Sequence, residues 1–180
     1  MERVEKSIIV DCPLQTVYNQ WTQFEDFPRF MEGVKRVTQL DDKRLHWEAE
    51  IGGKHKEWNA RITEQIPDLR IAWQSEAGEN TSGIVTFQPD GPDQTRVNLE
   101  LFYDPKGFVE SAGDAIGVVS RRVECDLERF KEFIEQRRRE TGAWRAPSEN
   151  PCKPLRAVVA YSSKRALGYG RPFFGLSKKN

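Results

Sequence analysis

The sequence is poor in the features that mark membrane, secreted and metal-dependent proteins. In its 180 residues no run approaches the ~18 apolar residues of a membrane-spanning helix, and acidic residues stand near the N-terminus, where a secretory signal would be apolar. The cysteines Cys12, Cys125 and Cys152 are odd in number and far apart, which predicts reduced thiols and a cytoplasmic location. With only two histidines, His46 and His55, we expect no metal site and no catalytic triad.

Net charge is also absent, because 28 Lys and Arg residues balance 28 Asp and Glu residues. The distribution is uneven, since residues 1–140 hold 20 basic and 27 acidic side chains, whereas residues 141–180 hold 8 basic and one acidic. The second segment also loses all hydrophobic periodicity, so we predict a folded domain over 1–140 and a basic, flexible tail over 141–180. We expect no nucleic acid as a partner. Contact of the tail with a membrane surface or another protein stays open, as does the oligomeric state.

Hydrophobic periodicity predicts the order of the elements. Apolar and polar residues alternate over 3–10, which predicts a strand. After Pro13, apolar residues recur at three- and four-residue intervals, which predicts a helix with Asp11 as its N-cap. A second, short apolar turn follows over 24–31. A 3.6-residue stripe over 107–139 predicts one long helix. Between them, period-two runs separated by turn residues predict antiparallel strands over 34–40, 44–51, 54–65, 69–75, 83–89 and 96–103.

The predicted strands have one apolar and one charged face, so the sheet is covered on one side only. Trp47, Trp58 and Trp73 fall on the apolar side of successive strands. At about 1.5 Å per residue, the long helix can cross a whole sheet and cover that side. The sequence therefore predicts an α+β fold in which an antiparallel sheet packs against a long C-terminal helix.

Four short stretches carry a family signature. Residues 11–21 (DCPLQTVYNQW) follow an apolar strand, and residues 24–31 read FEDFPRFM. Residues 83–87 (GIVTF) and 127–131 (LERFK, in the last helix) complete the pattern. Over about residues 1–138 the chain resembles the START-like superfamily, which includes polyketide cyclase/dehydrase and coenzyme Q-binding proteins. The resemblance implies the helix-grip fold: one strand, two short helices, six strands and a long helix, with the sheet curved around that helix.

The resemblance also implies a cavity between sheet and helix that binds a hydrophobic small molecule such as a lipid, a quinone or a polyketide-like compound. Aromatic residues of the strands and of the short turn would line it, together with small and apolar residues of the long helix. Packing within the core is the competing interpretation for each group. The predicted ligand-binding residues are Phe24, Phe27, Phe30, Trp47, Trp58, Trp73, Phe87, Tyr103, Phe108, Ala112, Ile116 and Val119.

Catalytic candidates are few. His46 and His55 fall on the charged face, where we expect exposed and inert imidazoles, and Glu48, Glu50 and Glu57 on the same face are expected to form cross-strand ion pairs. No nucleophile, base and orienting group form a recognisable set. The strand register decides which further polar residues face the cavity. The candidates are Ser75, Thr86, Asn98 and Tyr103.

These observations predict a binding protein that needs no cofactor and has no catalytic or metal-binding residues. One alternative is a polyketide cyclase, aromatase or dehydratase that uses the same cavity. A second is an interaction module that contacts a protein or a membrane through the basic tail.

Overall fold

In the computed structural model, the alternating and helical patterns of the sequence become a sheet and, among the described residues, two α-helices. The structure describes residues 1–51, 53–77, 80–105 and 115–145, and within the last range it describes only the backbone of Ala115 and Ile116. All described residues belong to one compact unit, Met1–Pro147. The predicted site residues Phe108 and Ala112, and residues 146–180 of the predicted tail, lie outside the described residues.

The elements follow the predicted order. A 3₁₀ helix occupies the short apolar turn, and the long helix is described from Ala115 onwards. The bounds are β1 Glu2–Val10, α1 Leu14–Trp21, the 3₁₀ helix Phe24–Arg29, β2 Val34–Gln39, β3 Arg44–Ile51, β4 Lys54–Ile66, β5 Arg70–Ala77, β6 Thr81–Gly91, β7 Gln94–Tyr103 and α2 Ala115–Arg137.

The predicted N-cap of α1 is wrong. Pro13 is the N-cap residue, and no side chain caps the first turn. Asp11 lies two residues too early to cap, and its carboxylate instead accepts a 2.7 Å hydrogen bond from the Gln94 side chain. The carboxylate therefore ties the entry to α1 to the β6–β7 hairpin.

The sheet has the strand order β1-β7-β6-β5-β4-β3-β2, and each of these neighbouring pairs is antiparallel. It curls into a half-barrel that holds α2 on its concave face. The α+β helix-grip fold expected from the sequence is confirmed. The last turns of α2 lie beside the entry to α1 and the start of β7, because Sγ of Cys12 is 3.7 Å from the Ile134 carbonyl oxygen and the Cys12 carbonyl accepts a 2.8 Å hydrogen bond from Thr95. This is one end of the concave face.

One face of the sheet and one stripe of α2 form the core. The α2 stripe consists of Val119, Val123, Leu127, Phe130 and Ile134, each at most 6% exposed. These residues recur at three- and four-residue intervals, which places them on one side of the helix. Their burial against the sheet fixes α2 along the concave face.

Residues 138–145, which we call the closing segment, lie against α1 and the β4–β5 turn. The fully buried Gln20 accepts a 3.0 Å hydrogen bond from the backbone N–H of Thr141. Further along, the Arg145 guanidinium donates to both carboxylate oxygens of Asp68, at 2.8 and 2.7 Å. The closing segment therefore covers the end of the molecule where α2 finishes.

Candidate functional site

Aromatic side chains fill the end of the concave face that lies beside α1. Phe24 and Phe27 of the 3₁₀ helix and Phe30, which directly follows it, are at most 5% exposed, and Phe87 of β6 is 1% exposed. They pack around Trp21, whose ring centroid is 5.5 Å from that of Phe27 and 6.3 Å from that of Phe87. The structure thus brings four of the sequence-predicted site residues together as a close-packed cluster.

A stacked pair of indoles continues this cluster towards the other end. Trp47 and Trp58 are directly opposite each other on β3 and β4, with centroids 5.7 Å apart and planes 9° from parallel. Phe27 contacts Trp47 edge-on at 5.7 Å. Trp47 is buried, whereas Trp58 is half-buried. The rings therefore form a continuous series that ends on an aromatic residue accessible from outside the core.

A second half-buried tryptophan lies in the middle of the sheet. Trp73 of β5 is paired with Gly83 of β6, and Gly83 with Leu101 of β7. A Cβ atom at Gly83 would be 2.3 Å from Cζ2 of Trp73, so the indole lies where a side chain at residue 83 would stand. Leu101 is half-buried like Trp73. This row is the second part of the candidate site; Val119 of α2, also a predicted site residue, is 6% exposed and belongs to the same core.

Gly83 and Leu101 were not among the sequence-predicted site residues. A glycine inside a strand often marks a close approach of another group, and Gly83 was a signal of that kind. Its partner could not be identified without the register, because the β5–β6 connection alone does not fix which β5 residue lies opposite. Of the other predicted residues, Ile116 lies in α2 with only its backbone described.

The register also decides which polar side chains share the concave face. Ser75 and Tyr103 are each two positions from an inward residue, Trp73 and Leu101, and so share the concave face. Asn98 lies on the convex face, where its amide donates to Glu5 at 3.2 Å. Burial raises the pKa of the Tyr103 hydroxyl, with a smaller contribution from the negative charge of Glu2. The phenol is therefore a neutral hydrogen-bonding group at neutral pH.

Other perturbed groups belong to the packed end. Burial raises the pKa of Tyr18 to about 12, opposed by the positive charge of Arg145, whose guanidinium lies 5.7 Å from the centre of the tyrosine ring. Burial likewise raises the pKa of the Cys12 thiol, which disfavours the reactive thiolate. These shifts follow from enclosure of the groups, and they give the packed end no activated nucleophile or base.

The site geometry suits an apolar ligand. Half-buried Trp58, Trp73 and Leu101 offer flat and aliphatic surface. Half-buried Ser75 and the fully buried Tyr103 place polar groups on the same face. Sites for small molecules combine these features: mostly apolar walls and a few placed polar groups. In the described ranges neither helix is long and apolar enough to cross a bilayer.

Comparison with known proteins agrees with this architecture. The family model described as polyketide cyclase/dehydrase and lipid transport matches residues 10–132. An uncharacterised 17.2 kDa protein of Streptomyces lincolnensis is 51% identical over 146 residues, which cover 81% of this chain and 97% of the relative. The chain therefore belongs to the polyketide cyclase/dehydrase and lipid transport family.

Solved structures share this fold. A START superfamily protein from Mycobacterium smegmatis matches with a TM-score of 0.60 and 19% identity, covering 75% of this chain and 95% of its own. The Zhui aromatase/cyclase from Streptomyces sp. R1128 matches with a TM-score of 0.63 and 18% identity, covering 79% and 99%. At these identities the likeness concerns the fold, and the superfamily resemblance drawn from the sequence is confirmed.

Proposed function

We propose that the protein binds a hydrophobic small molecule, of the lipid, quinone or polyketide type, against the half-buried concave surface formed by Trp58, Trp73 and Leu101. The observation that carries the proposal is the contrast between the two ends of the concave face. One end is filled by its own aromatic side chains, whereas large apolar side chains at the other remain partly accessible although they adjoin the core.

The energetics support binding by apolar contact. A ligand that removes roughly 300 Å² of apolar surface from water gains about 7 kcal/mol at about 25 cal/mol per Å². Loss of translational and rotational freedom on association offsets about 4 kcal/mol or more of this gain. Affinity therefore depends on a close fit and on the few polar contacts that Tyr103 and Ser75 supply.

Native mass spectrometry of the untagged full-length protein, followed by organic extraction, tests the proposal. We expect one hydrophobic molecule per chain. Gly83→Val is expected to lower its occupancy about tenfold, because the added methyl groups displace the Trp73 indole at a cost of about 1–3 kcal/mol. Ser82→Val is the matched control, since residue 82 lies on the same strand but faces the opposite side of the sheet.

Two results would contradict the proposal. One is a purified protein that carries no passenger and whose tryptophan fluorescence does not respond to fatty acids, quinones or polycyclic aromatics. The other is equal occupancy in the Gly83→Val and Ser82→Val proteins, which would place the ligand away from the Trp73 row. Circular dichroism of both variants shows whether the fold is retained.

The second candidate function is a cyclase or dehydratase that acts on a polyketide-like substrate in the same place. The family description and the fold of the Zhui aromatase/cyclase favour it, and Tyr103 is the concave-face group suited to donate a hydrogen bond to a substrate oxygen. Under this alternative, Tyr103→Phe abolishes turnover of a bound polyketide while it leaves the affinity nearly unchanged. Under the binding proposal the wild-type protein returns such a ligand unaltered.

The remaining expectations are part of the same proposal. We propose a cytoplasmic location, supported by the scattered cysteines, of which Cys12 and Cys125 are free thiols. We also propose that the residues beyond the closing segment form the basic tail. The excess of basic residues there supports a contact of this tail with a protein or with an anionic membrane surface.

A further inference from the structure

The convex face of the β3–β4 hairpin gathers groups that the fold and the proposed binding site do not use. Glu48 of β3 and Glu57 of β4 are directly opposite each other. Like charges at directly opposite positions of an antiparallel pair are destabilising. Arg36 offsets part of this repulsion through its ion pair with Glu48, and a bound cation would offset more of it.

Both histidines of the chain flank this pair of carboxylates. The His55 Nε2 atom is 2.8 Å from Glu57 Oε1, and the His46 Nε2 atom is 3.8 Å from Glu57 Oε2. Glu48, His55 and Glu57 each present one ligand atom such that all three atoms lie within 4.8 Å of one another. The scarcity of histidine argued against a metal site at the level of sequence, but the strand register places both imidazoles around the same two carboxylates.

A hydrogen bond to Asn59 orients the imidazole of His46 for metal coordination. Its Nδ1 atom is 2.8 Å from Oδ1 of Asn59, the residue opposite it on β4. An acceptor at Nδ1 holds the proton there and leaves the Nε2 lone pair free to bind a cation, as outer hydrogen bonds do for histidine ligands in metal sites. Arg36 binds Oε1 of Glu48 at 2.7 Å, which leaves Oε2 of that carboxylate available.

We propose that this face carries a binding site for a divalent transition-metal ion, with Zn²⁺ the ion of best fit. Two imidazole nitrogens and two carboxylates form a borderline donor set that suits Zn²⁺ rather than Ca²⁺ or Mg²⁺, which take oxygen ligands. Bonds of about 2.0–2.2 Å place tetrahedral ligand atoms about 3.3–3.6 Å apart, so small rotations of these accessible side chains close the site. The ligands are His46, Glu48, His55 and Glu57.

Isothermal titration of the untagged full-length protein with Zn²⁺ tests the site, in a Cys125→Ser, Cys152→Ser background that removes competing thiolates. We expect saturable binding of one ion per chain that millimolar Mg²⁺ does not displace. His55→Ala and Glu57→Gln each remove a ligand and are expected to weaken binding by at least about tenfold, and Asn59→Ala by about tenfold through the loss of its outer hydrogen bond.

Glu100→Gln is the matched control, because Glu100 is a convex-face carboxylate paired with an arginine of the neighbouring strand, at 2.8 Å. It is expected to bind Zn²⁺ like the parent protein. Since the chain has only two histidines, imidazole ¹⁵N resonances provide a second readout, and both sets should shift with the same one-equivalent end point. Absence of saturable binding overturns the proposal, as does unchanged affinity in the His55→Ala, Glu57→Gln double variant.

Discussion

Substitution of Phe30 by alanine separates the two interpretations, core packing and ligand wall, that the sequence left open for the aromatic residues of the short apolar turn over 24–31. Phe30 is 1% exposed, and its ring centroid lies 5.1 Å from that of Phe130, 5.3 Å from that of Phe27 and 5.8 Å from that of Phe133. If the ring is a structural part of the packed end, its loss lowers the stability of the whole domain. If it is mainly a ligand wall, its loss lowers affinity and leaves stability nearly unchanged.

The expected loss follows from burial and cavity formation. Complete burial of a phenylalanine side chain is worth about 1.5–3 kcal/mol. If about 80 Å³ of the vacated volume stays unfilled, a cavity cost of about 24 cal/mol per Å³ adds about 2 kcal/mol. The free energy of unfolding should therefore fall by about 3–5 kcal/mol, which is the range typical of buried Phe→Ala substitutions.

Urea unfolding followed by tryptophan fluorescence measures this change, provided that the slope of the free energy against urea concentration is unchanged. Phe30→Leu keeps most of the volume and should cost about 1 kcal/mol, so it gives a folded comparison even where the alanine variant is too unstable to purify. A loss below about 1 kcal/mol in Phe30→Ala, accompanied by weaker ligand binding, would refute the assignment of Phe30 to the structural core.

Three further outcomes are expected. Arg145→Ala should lower the free energy of unfolding by about 1 kcal/mol through loss of its two-point pair with Asp68, and an unchanged urea midpoint would show that the pair contributes nothing. Hydrogen bonds within its own turn lower the pKa of Asp41 to about 2, so its stabilising effect is present above the unfolded pKa near 4 and is lost as the pH falls towards 2. Asp41→Asn should therefore lower stability at pH 7 but not at pH 2, as thermal unfolding at the two pH values will show. Iodoacetamide should alkylate Cys125 before the buried Cys12 in peptide mapping of the native protein, and the reverse order would contradict the burial that raises the Cys12 pKa.

The strand pattern was predictable because its physical cause is local. Period-two alternation follows from side chains that point to opposite faces in turn, and it identified the inward Trp47, Trp58 and Trp73 as well as the outward His46 and His55. Short turns between runs then required antiparallel neighbours. The order β7-β6-β5-β4-β3-β2 follows from these two facts together, whereas the pairing of β1 with β7 joins strands far apart in the chain and does not.

The features that escaped prediction depend on distant residues. The contact of Trp73 with Gly83 required the exact register of β5 and β6. The bonds of Thr141 to Gln20 join residues that are 121 positions apart, and no hydrophobic period marks them. The position of Thr141 comes from specific hydrogen bonds and not from an apolar stripe, so composition and hydrophobic periodicity carry no signal for it.

The near-parallel stack of Trp47 and Trp58 has an optical consequence. Two indoles whose centroids are 5.7 Å apart exchange excitation energy, so their electronic transitions are coupled and contribute jointly to the circular dichroism of the aromatic region. One ring is fixed in the core and the other borders accessible space, so a molecule that settles against the outer ring alters the coupled signal. The fold thus contains its own label-free reporter of occupancy, and both chromophores are part of the natural sequence.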